Sequence, residues 1–152
     1  MIAELEQLYR ARRADFCRVA AAIAGDRELG EDAVQEAFAK AVRKRRSYRR
    51  RGSLEAWVWR IVVNAARDAR RRRPLFPEPR ELRLAETNGH GPTLPLELLT
   101  ERQREVLFLH YYADLDYATI ADTLGISSGT VGATLSTARA VLRRALTHEV
   151  KQ

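Results

Sequence analysis

Hydrophobic residues in the first 73 positions recur every three or four residues, as they do along one face of a helix. A first helix is predicted to end near Gly25-Asp26, with apolar positions at Leu5, Leu8, Phe16, Val19 and Ile23. A second helix carries Val34, Ala37, Phe38, Ala41 and Val42. A third is predicted to be capped by Ser53 and stopped by Pro74, with an apolar face of Trp57, Ile61, Val62, Ala65 and Ala69. No segment alternates like a half-buried strand, so this part is predicted to be all-α.

The last third of the chain has the same helical spacing. Thr100 and Gln103 form a capping-box pattern that opens a helix with apolar residues Val106, Leu107 and Leu109. Next come a short helix over residues 117–124, with Ile120, Ala121 and Leu124 inward, a turn at Gly125, and a longer helix capped by Ser127. The longer helix is predicted to bury Val131, Leu135, Ala138 and Leu142. This order is typical of a helix-turn-helix, whose second helix enters a DNA major groove. The alternative is an ordinary helical hairpin.

A proline-rich segment separates the two helical parts. All five prolines lie between residues 74 and 95, together with Gly89 and Gly91. Proline stiffens the chain and interrupts helices, so this segment is predicted to be an extended linker. The predicted domains are residues 1–73 and 96–152, joined by the linker 74–95. With few contacts to fix their orientation, we expect the two lobes to move independently.

The positive charge of the chain is concentrated in one quarter of its length. The whole protein carries a net charge of +7, but residues 40–73 alone carry +12. Within them, residues 43–51 read RKRRSYRRR, with one tyrosine, Tyr48, among seven cations. Such a balance favours nucleic acid or an anionic membrane as partner. No apolar run approaches the roughly 20 residues of a membrane span, and the N-terminus lacks a signal-peptide pattern. We therefore expect no membrane insertion.

Signs of catalysis or of a cofactor are missing from the sequence. The three histidines, at positions 90, 110 and 148, have no metal-ligand spacing, and no glycine-rich phosphate loop follows a strand. The single cysteine, Cys17, excludes an internal disulfide, suits a reducing cytosol and is interpreted as core packing. We expect no enzyme activity, no cofactor and no metal.

Three blocks of the chain resemble, in order, regions of bacterial RNA polymerase sigma factors. The blocks are EDAVQEAFAKAV, SLEAWVWRIVVNAARDARRRR and LTERQREVLFLHYYADLDYATIADTLGISSGTV. The most similar type is the small, two-domain extracytoplasmic-function (ECF) group of the sigma-70 family. The resemblance implies an all-α fold, with a region 2 domain and a region 4 helix-turn-helix domain joined by the linker. It implies a cytoplasmic, nucleoid-associated protein that binds core RNA polymerase and directs promoter-specific transcription initiation. It also admits an anti-sigma factor as a partner.

The resemblance assigns functional residues in both lobes. It assigns polymerase binding to Asp32, Gln35 and Glu36, which lie within one helical turn opposite the apolar stripe of Val34 and Phe38. In region 2 it assigns binding and melting of the minus-ten element to nine residues: Arg46, Tyr48, Arg49, Arg50, Arg51, Trp59, Asn64, Arg67 and Arg71. Trp57 and Trp59 cannot share a helix face, and since Trp57 fits the apolar stripe, Trp59 is expected to be the more exposed. In region 4 it assigns binding of the minus-thirty-five element to Ser127, Ser128, Thr130, Thr134, Thr137 and Arg139. It also implies that region 4 contacts the polymerase flap.

Region 4 departs from the family pattern in charge. Relatives carry Lys or Arg near the start of the recognition helix, whereas here Arg139 is the first cation. Residues 95–152 have a net charge of −1, so their attraction to phosphate is expected to be weak.

Two other nucleic-acid binders remain as alternatives. One is a stand-alone helix-turn-helix regulator, which would bind duplex tightly and usually as a dimer. The other is a structural RNA-binding protein that uses the arginine run alone.

Overall fold

Six α-helices and two short 3-10 turns make up the described part of the chain. The computed structural model describes residues 1–49, 52–72 and 95–150. The helices are α1 (Ile2–Ala24), α2 (Arg27–Arg43), α3 (Leu54–Arg71), α4 (Glu101–Tyr111), α5 (Tyr117–Leu124) and α6 (Ser128–Val150), and the 3-10 turns cover Arg45–Ser47 and Leu96–Leu98. No strand occurs within these ranges, and the predicted all-α fold is confirmed. Residues 74–94 of the predicted linker lie outside the described residues.

The ends of the first three helices are set by local signals in the sequence. Gly25 ends α1 with a left-handed φ of 84°, a conformation that glycine adopts without a Cβ clash. Its amide donates to the carbonyl of Ala21 at 2.8 Å. Ser53 caps α3 as predicted, because its Oγ accepts from the amide of Ala56 at 3.0 Å. The predicted end of α1 and the predicted start of α3 are therefore confirmed to within the usual fraying of helix ends. Pro74, which was predicted to stop α3, lies outside the described residues.

The predicted helix-turn-helix is present in the second half of the chain. The capping box that opens α4 is formed, with reciprocal hydrogen bonds of 3.2 and 2.9 Å between Thr100 and Gln103. Gly125 ends α5 at a φ of 70°, and Ser127 Oγ accepts from the amide of Thr130 at 3.1 Å to cap α6. All four predicted core positions of α6 are buried: Val131, Leu135, Ala138 and Leu142. The sequence pattern and the geometry of this unit agree.

Aromatic packing fills the core between α1, α2 and α3. The ring of Phe16 lies 4.2 Å from the ring system of Trp59 and 5.2 Å from the ring of Phe38, centroid to centroid. Gly30 lets the backbones of α1 and α2 approach closely. A Cβ added there would lie 2.9 Å from the Cβ of Ala21 and closer still to its backbone nitrogen. The first lobe, α1–α3, is thus a tight bundle in which α1 and α2 nearly touch.

The orientation predicted for the two tryptophans of α3 is wrong. Trp59 is 0% exposed and packs on Phe16, whereas Trp57 is only partly buried. The inward stripe of α3 consists of Ala56, Val58, Trp59, Val62, Val63 and Ala66. Both stripes fit a helical period, and the packing of an indole against Phe16 decides between them. Trp59 is therefore a core residue and is not available to contact a base.

The expectation of few contacts between the lobes is also wrong. The first lobe packs on the second, α4–α6, mainly through α3 against α5 and α1 against α4. Three arginines of the first lobe reach acceptors on the second: Arg67 pairs with Glu105, Arg60 donates to the carbonyls of Asp122 and Thr123, and Arg12 donates to the carbonyl of Ala113. We call these seven residues the interlobe contact. Hydrogen bonds from guanidinium groups of the first lobe to oxygen acceptors of the second therefore join the two lobes.

The surroundings of Cys17 support its predicted packing role. Cys17 is half-buried and packs against the apolar core, and burial raises the pKa of its thiol. A raised pKa leaves less thiolate at neutral pH, consistent with the predicted packing role. Among the described helices, none has the length and apolar character needed to cross a membrane.

Candidate polymerase and nucleic-acid interfaces

The outer face of α2 carries the three residues predicted to bind polymerase. Asp32, Gln35 and Glu36 are exposed. The opposite face of the helix is buried in the first lobe through Ala33, Val34, Ala37 and Phe38. The structure thus brings two carboxylates and an amide together on one free surface. Their assignment to polymerase binding stays a prediction.

The described part of the basic stretch, residues 43–49, forms a compact turn after α2. A 3-10 turn over Arg45–Ser47 is fixed by two side chains: Arg45 Nη1 donates to the carbonyl of Val42 at 2.7 Å, and Ser47 Oγ donates to that of Lys44 at 2.6 Å. Arg46 and Arg49 are exposed. Arg50 and Arg51, also predicted to contact DNA, lie outside the described residues. The turn therefore leaves at least two guanidinium groups directed into solvent next to α3.

Tyr48 lies beside Trp57 at the base of this turn. Their ring centroids are 5.4 Å apart with planes at 44°, and the Tyr48 hydroxyl donates to the carbonyl of Gly52 at 2.7 Å. Both aromatic residues are partly exposed. Gly52 has a φ of 86°, which a residue with a Cβ adopts only with strain. The sequence interpretation missed Trp57 here, although the i, i+2 spacing of the two tryptophans required one of them to face outward.

The strip predicted along α3 is only partly free. Asn64 and Arg71 are exposed. Arg67 instead donates to Glu105 through Nε at 2.7 Å and also through Nη2, and its Nη1 lies 3.4 Å from Asn64 Oδ1. Glu105 is 1% exposed, and its hydrogen bond raises the pKa of the Arg67 guanidinium. Arg67 is therefore committed to the second lobe in this structure.

The start of α6 presents hydroxyl groups rather than cations. Ser128 and Thr130 are exposed, although the Thr130 hydroxyl also lies 2.8 Å from that of the cap residue Ser127. Thr134 is half-buried and Thr137 exposed, the latter donating to the carbonyl of Ala133 at 3.0 Å. These side chains can exchange hydrogen bonds with base edges but bring no charge to phosphates.

Arg139 is engaged on the flank of α6. Its Nε donates to the Tyr111 hydroxyl at 2.7 Å, and its guanidinium lies 5.5 Å from the centroid of the same ring. A cation–π contact combined with a hydrogen bond fixes this side chain against α4. The only cation predicted to bind DNA from region 4 therefore has an intramolecular partner, and its DNA role stays a prediction.

Comparison with known proteins identifies the family. Residues 8–74 match the family described as Sigma-70 region 2, and residues 96–142 match Sigma-70, region 4. The chain is 30% identical to the ECF RNA polymerase sigma factor SigM of Mycobacterium tuberculosis (strain H37Rv), over 93% of this chain and 76% of that protein. The chain belongs to the ECF group of the sigma-70 family. The resemblance found in the three sequence blocks is thereby confirmed.

Two other relatives of this ECF sigma factor are similar to it over most of its length. It is 32% identical to the probable RNA polymerase sigma factor RfaY of Xanthomonas campestris pv. campestris, across 84% of this chain but only 36% of that protein. It is 28% identical to the RNA polymerase sigma-E factor of Streptomyces coelicolor, across 95% of this chain and 87% of that one. Most of the chain therefore aligns with proteins named as sigma factors.

Two solved structures share the fold. The first is CnrH in complex with the cytosolic domain of CnrY, at a TM-score of 0.75 and 26% identity, over 95% of this chain and 88% of CnrH. The second is the sigma factor RpoE of Bartonella quintana in complex with the anti-sigma factor NepR, at a TM-score of 0.67 and 25% identity, over 95% of both chains. The sigma-factor regions imply RNA polymerase and promoter DNA as partners. They support promoter-directed transcription initiation, and a stand-alone regulator is not favoured.

Proposed function

We propose that this sigma factor is a non-enzymatic initiation factor whose two lobes divide the work on polymerase and promoter. Residues 1–73 bind core polymerase and recognise and melt the minus-ten element. Residues 96–152 bind the minus-thirty-five element and the polymerase flap, and residues 74–95 link the two. The polymerase performs the chemistry, and the protein works in the cytoplasm at the nucleoid. The similarity to RpoE, whose structure was solved in complex with the anti-sigma factor NepR, supports an anti-sigma factor as a further partner.

One observation carries the minus-ten assignment: an aromatic pair lies next to exposed guanidinium groups. Tyr48 and Trp57 contact each other at the base of a turn from which Arg46 and Arg49 extend. Melting a promoter requires unstacking of bases, at a few kcal/mol per step. Stacking a base on an aromatic ring returns about 1–3 kcal/mol, and phosphate contacts add an electrostatic term. The turn combines both compensating interactions within a few residues.

The structure leads us to replace Trp59 by Trp57 among the base-contacting residues. Trp59 is enclosed by the core and serves the fold. Trp57 belongs to the same helix but lies on its flank, where its ring contacts the ring of Tyr48. Two aromatic faces at 44° offer an extruded base more than one stacking surface.

Polymerase docking is assigned to the exposed side chains of α2. Asp32, Gln35 and Glu36 can accept or exchange hydrogen bonds with a basic partner helix, and their removal leaves the buried face of α2 unaltered. This division of one helix into a core face and a polar face supports a separate docking surface. It also predicts that docking residues can be changed without unfolding the lobe.

Transcription with core polymerase tests the function directly. Run-off transcription on genomic DNA, with mapped start sites, is expected to yield a discrete set of promoters in the presence of this protein. Absence of specific starts, together with no co-elution of protein and core enzyme at micromolar concentrations, would contradict the proposal. Tight binding of free duplex by a dimer of the protein would support the stand-alone regulator instead.

Binding to melted DNA tests the role of Tyr48. Tyr48→Ala is expected to cost about 1–3 kcal/mol on a pre-melted minus-ten bubble and little on closed duplex, where no base is available for stacking. Tyr48→Phe is the matched control, because it keeps the ring and removes only the hydrogen bond to Gly52. Arg46→Gln and Arg49→Gln should weaken both templates alike and lower the salt slope by about one unit each. Equal losses of Tyr48→Ala on bubble and duplex would reduce the turn to an electrostatic patch.

A further inference from the structure

Two arginines near the ion pair of Arg67 and Glu105 have no acceptor in the part of the chain that the structure describes. Arg70 follows Arg67 by one turn of α3, and Arg104 directly precedes Glu105 on α4. Arg67 donates to both carboxylate oxygens of Glu105. The guanidinium groups of Arg70 and Arg104, by contrast, form no hydrogen bond or ion pair with any described residue. Two cations therefore stay unpaired next to the point where an ion pair joins α3 to α4.

The ion pair between the helices places the two unpaired arginines near each other. Residues three apart on a helix share a face, with about 5–6 Å between their Cβ atoms. Arg70 therefore extends from the face of α3 that carries Arg67, and Arg104 lies beside the acceptor of Arg67 on α4. In keeping with this placement, burial and then the charge of Arg70 lower the pKa of the Arg104 guanidinium. The carboxylates of Glu101 and Glu105 oppose this effect on the pKa without cancelling it.

The missing acceptor of Arg104 carries an energetic cost. Arg104 is half-buried, and its guanidinium keeps its charge and its five N–H donors at every pH at which proteins are folded. A cation that has left part of its water is normally paired with an anion, because an unpaired charge forfeits hydration without compensation. Glu105 cannot supply that anion, since both of its oxygens already accept from Arg67. Unpaired, half-buried charge of this kind is typical of a site that receives its partner from a ligand.

We propose that Arg70 and Arg104 form an anion site that binds the phosphate group of a small ligand. Planar guanidinium forks suit a phosphate, because its oxygens accept paired hydrogen bonds. A phosphate monoester carries nearly two negative charges at neutral pH, which two arginines balance. Neither arginine has a part in the binding of promoter DNA or polymerase proposed above, so this site is additional to those surfaces.

The surroundings of Arg104 favour a small ligand over a nucleic acid. Arg70 is exposed, but Arg104 is half-buried, so a single phosphate group reaches both more easily than a polymer does. Glu101 lies at the same junction, 3.9 Å from Arg67, with half of its side chain exposed. Its carboxylate would repel each of the many phosphates of a nucleic acid. Binding of an oligonucleotide is therefore the competing outcome of the test.

Thermal unfolding of the full chain in inorganic phosphate tests the site. Phosphate is titrated at neutral pH against sodium chloride of the same ionic strength, because phosphate also stabilises proteins without binding to a site. A ligand that binds only the folded protein raises its melting temperature. At about tenfold over the dissociation constant, the melting temperature of the wild-type protein is expected to rise by about 3–6 °C relative to chloride.

Two variants remove one guanidinium group each, and both should lose this rise. They are Arg104→Met, which keeps an apolar stem, and Arg70→Gln at an exposed position. Without phosphate, Arg104→Met should melt at an equal or higher temperature than the wild-type protein, because an unpaired cation beside Arg70 is gone. A purely structural role of Arg104 predicts the reverse, namely lower stability with an unchanged response to phosphate. Arg143→Met is the matched control, since it removes an exposed arginine of α6 and should keep the response.

The expected pattern is a phosphate response in the wild-type protein and in Arg143→Met that is lost in Arg104→Met and Arg70→Gln. Far-ultraviolet circular dichroism confirms that each variant is folded. Equal responses of all four proteins would reveal a general salt effect and overturn the inference. A single-stranded oligonucleotide, titrated beside thymidine, identifies the source of the phosphate. If the oligonucleotide alone stabilises the protein, and only when Arg104 is present, the small-ligand site is rejected and the two arginines belong to DNA binding.

Discussion

The two tryptophans of α3 should separate stability from DNA binding. Trp59 is fully buried and lies 4.2 Å from the ring of Phe16. Truncation of a buried aromatic residue to alanine costs about 3–5 kcal/mol, as lost transfer energy plus a cavity. Domains of this kind are stabilised by only about 5–15 kcal/mol in total. Trp59→Ala should therefore remove a large share of the stability of the first lobe, or unfold it.

Trp57 should behave in the opposite way. Because it is only partly buried, its truncation forfeits roughly half of the stabilisation of a buried side chain, or about 1 kcal/mol. On a minus-ten bubble, however, Trp57→Ala should lose about 1–3 kcal/mol of binding if the ring stacks on a base. Trp59→Phe provides the matched control, since it keeps an aromatic residue in the core and should bind the bubble like wild type.

Urea unfolding and bubble binding by anisotropy measure the two quantities on the same proteins. The argument requires a crossed pattern, with the larger stability loss at Trp59 and the larger binding loss at Trp57. If Trp59→Phe stays folded but binds the bubble poorly, while Trp57→Ala binds normally, the assignment of the inner and outer tryptophan is refuted.

Three further variants probe the fold and the polymerase surface. Asp32→Ala combined with Gln35→Ala should weaken co-elution with core polymerase at an unchanged melting temperature, and a lowered melting temperature would argue against a free docking surface. Gly30→Ala should destabilise the protein by about 1–3 kcal/mol in urea unfolding, because the new methyl group would lie against the backbone of Ala21. A neutral effect would mean that α1 and α2 separate easily. Gly125→Ala should cost about 1 kcal/mol, since the left-handed turn at a φ of 70° disfavours a Cβ, and an unchanged unfolding midpoint would contradict that account.

The sequence predicted the elements well where the signals were local. Ser53, Thr100 and Gly125 each mark a helix end by a hydrogen bond or a backbone conformation formed within a few residues. Such signals need no knowledge of the rest of the fold. The same holds for the apolar positions of α6, because their spacing leaves a single inward face.

Prediction failed where the outcome depended on distant partners. The inward stripe of α3 was ambiguous until Phe16 of α1 was in place to receive Trp59. The interlobe contact joins Arg67 to a residue 38 positions away, across the proline-rich segment. A clue was present: Glu105 is a lone carboxylate ahead of the apolar run Val106–Leu109, and a carboxylate at such a position needs a cationic partner when buried. The identity of that partner could not be inferred from spacing.

The ion pair between Arg67 and Glu105 has a genetic consequence. A substitution at Arg67 removes a candidate phosphate contact and at the same time leaves a carboxylate that is 1% exposed without its cationic partner. Single-mutant scans would then score Arg67 as a residue needed for stability, and the loss of folded protein would hide any effect on promoter binding. The effect on DNA should become visible only in a Glu105→Gln background, where no buried charge is left unpaired. Epistasis between these two positions, rather than the phenotype of either alone, is where selection on this protein would leave its trace.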